Sequence, residues 1–398
     1  PDVLYMQLRL IRELEREGFL DRKLEFLPND KDIKARFSNG QGLTAPELAV
    51  LMAYSKTAVK GEIFKSKLPD EPYFDCYLAA EFPKVLTERF GALMRRHYLC
   101  REIIVTQLTN EMLQQMGIGF IHRLYDETGA TPALIARAYV IAKEICELPE
   151  MWSKIESLDG KVDMSMQQEL MNEVVRLVRR VSRWLLQNNR INLDVPELIS
   201  FYKAKINDLR ALMSKLLSKD DRNIKKDFIK KYTHAHIPNE LALKASDYAF
   251  MSPFMDIIHV ASEHHLDYKD VAEVFYKLGD ELEISWFHQS VGALREEGYW
   301  GTLSSSELRD DMDRLQASLS ISVLLMTDSH LDLDARLSQW IGSFKYMVNR
   351  WLYMIEDLKG SNKNEFIMYL VAMRGLLDLS QNCTAKMALS CSDISSDD

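Results

Sequence analysis

Four arginines at helical spacing are the most pointed chemical feature of this sequence. In Arg176-Leu-Val-Arg179-Arg180-Val-Ser-Arg183-Trp184 the guanidiniums fall at i, i+3, i+4 and i+7 and share one helix face. Guanidinium forks match carboxylates and phosphates bidentately, so Arg176, Arg179, Arg180 and Arg183 form a candidate docking face for an acidic element or another domain. The competing reading is a set of intramolecular ion pairs, in a chain with 59 acidic residues. Lysines recur at Lys225, Lys226, Lys230 and Lys231, but Asp220, Asp221 and Asp227 interleave with them, and a solvated helix is expected there.

Histidines are the next candidates. A helical metal pair needs ligands at i and i+4 on one face. His234-Ala-His236, His259 and Glu263-His264-His265 offer imidazoles at other spacings, so surface or packing roles are expected. A helical metalloprotein using His259, His264 or His265 is a remote alternative. Gly117-Ile-Gly119-Phe-Ile-His122 carries two glycines of a dinucleotide loop, but it lacks the third and follows a helical pattern instead of a strand. There is no Walker loop and no GxSxG elbow. No catalytic, cofactor-binding or metal-ligating residue is therefore assigned.

The elements that must position these residues read as helices. Thr44-Ala-Pro-Glu47 is a capping box, in which hydroxyl and carboxylate satisfy amides without an intrahelical partner. Thr131-Pro132, Ser252-Pro253, Asp194-Val-Pro-Glu197 and Ser304-Ser-Ser-Glu307 are further start signals. Leu170, Val174, Leu177, Val178, Val181 and Leu185 draw an apolar stripe down one helix, and Val271, Val274, Phe275, Leu278 and Leu282 another. Strict alternation over a strand length is absent, and the pattern predicts about sixteen to twenty helices. The six tryptophans and nineteen methionines fall in these patterns, where packing is the expected role.

Composition agrees. With 47% hydrophobic and 27% charged residues the 398-residue chain belongs to the soluble globular class, and sixteen glycines and eleven prolines are few for a turn-rich β fold. A net charge of −9 argues against general nucleic-acid binding. No apolar run reaches the length of about 18 residues that a membrane span needs. Five cysteines without a CxxC pair suit a reducing, cytoplasmic compartment. Pro1-Asp-Val-Leu-Tyr5 has neither initiator Met nor signal-peptide character and opens directly into an amphipathic pattern, which predicts a segment of a longer protein.

The polar break from Asn188 to Pro196 is the expected boundary between two helical lobes, 1–192 and 193–383, with a disordered acidic tail at 384–398. The expected fold class is all-α, an irregular multi-helix assembly without a Rossmann sheet.

Gly42-Leu-Thr-Ala-Pro-Glu-Leu-Ala-Val-Leu-Met-Ala-Tyr-Ser-Lys56 resembles the segment after the catalytic domain in the large NAD-specific glutamate dehydrogenases of bacteria. The likeness continues in order through His97-Tyr-Leu-Cys-Arg-Glu-Ile-Ile-Val-Thr-Gln-Leu-Thr-Asn110, Asp126-Glu-Thr-Gly-Ala130, Ile135-Ala-Arg-Ala-Tyr-Val-Ile-Ala-Lys143, Leu158-Asp159 and Arg179-Arg-Val-Ser-Arg-Trp-Leu-Leu186. It extends to Val271-Ala-Glu-Val-Phe-Tyr-Lys-Leu-Gly279 and Leu308-Arg-Asp-Asp-Met312; beyond about residue 320 only helical character is shared. Ala45 and Cys100 stand where the family pattern has arginine, and Gln187-Asn188-Asn189 replaces a more basic stretch. The resemblance implies a parent enzyme that oxidatively deaminates L-glutamate to 2-oxoglutarate and ammonium with NAD, as a large homo-oligomer. It implies that this chain is the non-catalytic C-terminal helical region, with the catalytic domain of the same polypeptide as its partner, and neither nucleic acid nor membrane. A surface covered by that domain would stand out as an apolar patch. The alternative is a free-standing interaction scaffold docking through the arginine face.

Overall fold

The computed structural model describes residues 2–188, 193–294, 298–361 and 365–394, and among these every regular element is helical. Contacts group the chain into two units, 1–159 with 167–203, and 160–166 with 204–398.

Unit 1 is built from α1 (Asp2–Arg16), α2 (Asp30–Ser38), α3 (Ala45–Lys65), α4 (Asp75–Ala80), α5 (Lys84–Met94), α6 (Cys100–Met116), α7 (Phe120–Thr128), α8 (Pro132–Ile145), α9 (Leu148–Glu156) and most of α10 (Met164–Asn188). Short 3₁₀ turns at Leu68–Asp70 and Pro72–Phe74 lead into α4. The caps anticipated at α3 and α8 form. The Glu47 carboxylate accepts from the Thr44 amide at 2.7 Å, and Thr131 Oγ1 accepts from the Leu134 amide at 3.4 Å. Gly117, at φ +81, turns the chain between α6 and α7 in the left-handed region that a side chain would strain. Helix α8 packs against α3, α6, α7 and α9. Ile135, Ala136, Ala138, Tyr139, Ile141 and Ala142 of α8 are all fully buried. A second cluster, including Leu4, Leu8, Ile11, Leu14, Ile33 and Leu51, joins α1 to α3.

The chain division falls inside α11 (Val195–Leu216), whose start is capped by Asp194 accepting from the Glu197 amide at 2.9 Å. Four residues of the anticipated polar break, 189–192, lie outside the described residues. Unit 2 continues with α12 (Lys219–His234), α13 (Asn239–Tyr248), α14 (Phe254–Glu263), α15 (Tyr268–Glu281), α16 (Ile284–Ala293), α17 (Gly298–Met326), α18 (Leu333–Ser343), α19 (Lys345–Gly360) and α20 (Phe366–Ile394). Its centre is α17, against which α14, α15, α16, α18 and α20 pack. Buried indoles find partners: Trp340 Nε1 donates to Ser322 Oγ at 2.9 Å and Trp351 Nε1 to the Leu282 carbonyl at 2.8 Å.

Four expectations differ from the structure. Ser304-Ser-Ser-Glu307 starts no helix; it lies within α17, where Ser304 Oγ instead donates back to the Trp300 carbonyl at 2.7 Å. Pro253 stands at the N-cap of α14, one position earlier than the anticipated first turn. Residues 384–394, anticipated in a disordered tail, continue α20, because Leu376, Leu379 and Cys383 bury at helical spacing; 395–398 lie outside the described residues. Trp300, anticipated in packing, is 72% exposed.

Gly279 of α15 faces α17 so closely that a Cβ there would sit 2.5 Å from Gln316 Nε2, which itself donates to the Phe275 carbonyl at 2.7 Å. Gly279→Ala should therefore cost about 1–3 kcal/mol of unfolding free energy by overpacking. Gly61→Ala, in α3 with open space around the site, should instead stabilise by up to about 1 kcal/mol. Urea unfolding of both variants checks the opposite signs.

Candidate functional site

One group of charged residues in unit 1 meets on α7. Its apolar residues Phe120, Ile121 and Leu124 point inward, which leaves two polar i, i+4 pairs on its sides. His122 and Asp126 face α1. Asp126 accepts from Arg9 Nε at 3.0 Å and Nη2 at 2.7 Å, while His122 contacts Glu13 through Nδ1 and lies 3.5 Å from Asp126 through Nε2. A surface cavity of about 390 Å³ opens here, lined among others by Arg12, Arg16 and Tyr125. Arg123 and Glu127 form the second pair, Nε to Oε1 at 2.7 Å, and Glu127 Oε2 lies 3.7 Å from Arg183 Nε.

This separates the members of the arginine face. Arg183 is buried in the last turns of α10, where every residue from Val181 to Leu186 is buried, so that no face there meets solvent. Arg176 is exposed and pairs with Glu173 one turn away at 2.5 Å, and Arg179 and Arg180 are half-buried. Helical spacing alone set the four on one side; the packing around the end of α10 decided which of them is accessible.

A second polar centre escaped sequence reasoning. Lys143 of α8, 93% buried, donates to Tyr77 Oη of α4 and to Glu111 Oε1 of α6, both at 2.9 Å. Tyr139, one turn before Lys143, also donates to Glu111 Oε1 at 2.9 Å, and Tyr77 does so at 3.3 Å. Burial, and after it the Glu111 charge, hold both phenols far above their ordinary range. They stay protonated and act as donors, so the cluster works as a charge-satisfying clamp for α8 and offers no base. A lysine and a tyrosine at i and i+4 inside the apolar run Ile135–Ile145 were the available signal.

The remaining candidates stay apart. Gly117 and Gly119 join two helices, so the strand–turn–helix cradle of a dinucleotide is not what these residues build. His259 pairs with Glu263 at 3.4 Å, His264 follows α14, and His265 adopts φ +55. Among the described residues no group of three or more His, Cys, Asp or Glu is arranged to hold a metal ion. Cys76, Cys100 and Cys383 are free thiols. In unit 2, buried Asp221 accepts from Ser218, Ser285 and Gln289 at 3.0–3.4 Å. Desolvation, and next the Asp221 charge, push Asp280 up to about 6 against the pull of Arg222.

Comparison with known proteins places these residues in context. A family model described as "Glutamate dehydrogenase, C-terminal" matches residues 40–378, reaching beyond the motifs legible by eye. The chain is 36% identical over 374 residues to the NAD-specific glutamate dehydrogenase of Pseudomonas aeruginosa and 35% identical over the same length to that of Halomonas elongata. In both cases the match covers 94% of this chain and 23% of the relative. The NAD-specific glutamate dehydrogenase of Mycobacterium tuberculosis is 30% identical over 364 residues, 92% of this chain and 22% of its own length.

Two predictions follow from the geometry. Glu127→Ala strips a buried guanidinium of a carboxylate and should destabilise by about 3 kcal/mol or more, whereas Arg176→Ala should stay within about 0.5 kcal/mol; urea unfolding separates them. Asp280 has a native pKa raised to about 6, so stability falls as pH rises from about 4 to about 6, where the unfolded carboxyl ionises before the folded one, and the loss is complete above about 6. Asp280→Asn should raise Tm at pH 7.5 and change it far less near pH 3.5, where the wild-type carboxyl is neutral when folded and mostly neutral when unfolded; thermal scans at the two pH values check this.

Proposed function

Because the chain belongs to the glutamate dehydrogenase C-terminal family, we propose that it is the helical, non-catalytic region of a larger NAD-dependent glutamate dehydrogenase. That enzyme oxidatively deaminates L-glutamate to 2-oxoglutarate and ammonium in the cytoplasm as a homo-oligomer. The observation that carries this reading is the share of the match: nearly the whole chain aligns, yet it spans 23% of the Pseudomonas relative. NAD and substrate then bind in the remainder of the polypeptide, since the paired glycines here join helices and the buried Lys143 is committed to Glu111.

The role we assign to the region is support of assembly and conformational control by packing on the catalytic domain. Its construction suits that role. Buried pairs such as Glu127 with Arg183 and Lys143 with Glu111 give the helices of unit 1 specific partners, as a support for domain closure needs. The exposure of Arg176 favours a second reading, an interaction scaffold docking through Arg176, Arg179 and Arg180, with Arg183 held inside unit 1.

NAD reduction with L-glutamate, measured for the natural full-length gene product beside this chain, tests the proposal. Activity in the full-length protein alone is expected; activity in the 398-residue chain would reveal an unrecognised active site, and silence in both would favour the scaffold. Arg176→Ala with Arg179→Ala should leave the dehydrogenase reading untouched and abolish partner capture under the scaffold reading.

A further inference from the structure

Helix α5 turns an apolar row toward solvent. Leu86, Phe90 and Leu93, at i, i+4 and i+7, are 41%, 45% and 51% exposed, and Val85 beside them is 64% exposed. Tyr98 and Leu99, just beyond the helix, are 92% and 44% exposed. The row is held in place by groups that point elsewhere. Met94 is buried, Arg95 donates to the carbonyls of Pro69 and Glu71 at 2.8 and 2.7 Å and pairs with Asp75, and Phe82 meets His97 edge-on at 5.9 Å. The end of α5 is thus anchored, and its apolar face is a fixed feature of unit 1.

Charge around the row is predominantly basic. Residues 84–96 carry Lys84, Arg89, Arg95 and Arg96 against Glu88 alone, in a chain of net charge −9. Arg95 is spent inward; Arg89 lies over the Phe90 ring at 5.6 Å, and the Lys84–Glu88 pair is long, 3.9 Å, and exposed. Single exposed apolar residues are ordinary, but an i, i+4, i+7 row with a charged border is the pattern of a helix that seats in a groove.

The geometry points to α5 as a docking helix whose occupant is an apolar groove with an acidic rim on the part of the same polypeptide that lies outside this chain. This rests on the function proposed above. Two observations select that occupant. The relatives devote most of their length to sequence this chain does not span, and the local basic charge calls for an acidic counterpart. A second copy of this chain would instead bring two bodies of net charge −9 together.

Hydroxyl-radical footprinting read by mass spectrometry reports side-chain exposure directly. Leu86, Phe90, Leu93 and Tyr98 should oxidise about tenfold more slowly in the natural full-length gene product than in this chain, as buried interface residues do. Equal rates would overturn the proposal. Leu86→Ser with Phe90→Ser in the full-length protein should restore oxidation at Leu93 and Tyr98 with unchanged circular dichroism; retained protection would overturn it equally. Protection that grows with concentration in this chain alone, alongside a dimer in sedimentation, would give the groove to a second copy and defeat the assigned occupant. An inactive full-length protein with a protected row would remove the enzymatic reading and sustain the docking helix, while an active one with an unprotected row would do the converse.

Discussion

Burying α8 is the constraint on which unit 1 depends. A helix enclosed by four others must place its polar side chains against partners inside the protein, since a buried charge without one costs several kcal/mol. Lys143 meets Glu111 and Tyr77, and Arg137 forks onto Glu71, between the two 3₁₀ turns, with Nη1 to Oε2 at 2.6 Å. Those contacts fix where α6, α4 and the turn before it can stand relative to α8. The neighbouring helix α7 extends the same logic outward, to α1 through Asp126 and Arg9 and to α10 through Glu127 and Arg183.

Unit 2 also pairs buried carboxylates, Asp247 with Lys225 and Asp313 of α17 with His288 at 3.1 Å, and adds neutral groups to them. The central α17 carries Gln316, Ser320 and Ser322 in buried positions. The serines donate to carbonyls of their own helix, at 2.7 Å from Ser320 to Gln316 and 2.6 Å from Ser322 to Leu319. Gln316 spans to α15, and the indole of Trp340 closes on Ser322. Close approach adds to these contacts: Gly279 admits Gln316, and Gly375 of α20 leaves room for the end of Met354. Neutral hydrogen bonds carry smaller desolvation costs than ions, so these contacts position α15, α17 and α18 at lower cost than further buried charges would.

The family and the helical architecture were legible in residues such as the Thr44–Glu47 capping box and the Leu170–Leu185 stripe, because caps and stripes are local and repeat at short range. The polar centres were not. Lys143 finds Glu111 32 residues away and Tyr77 66 residues away, and nothing in the spacing of either announces the other. The arginine face was half legible. Periodicity placed four guanidiniums on one side, but the exposure of Arg176 and the burial of Arg183 follow from what packs around each end of a long helix.

By itself, then, the sequence determined that this protein is helical, where a few helices such as α3, α8 and α11 begin, which stripes two of them bury, and the family it resembles. Those properties rest on backbone amides at helix ends and on apolar periodicity, which act within a few residues. Tertiary structure alone decided which charges became buried pairs, that Ser304-Ser-Ser-Glu307 lies inside a helix, that α20 runs through 384–394, and that the row on α5 stays uncovered. Each of these depends on the dielectric and the neighbours at a point in space, and distant segments of the chain supply both.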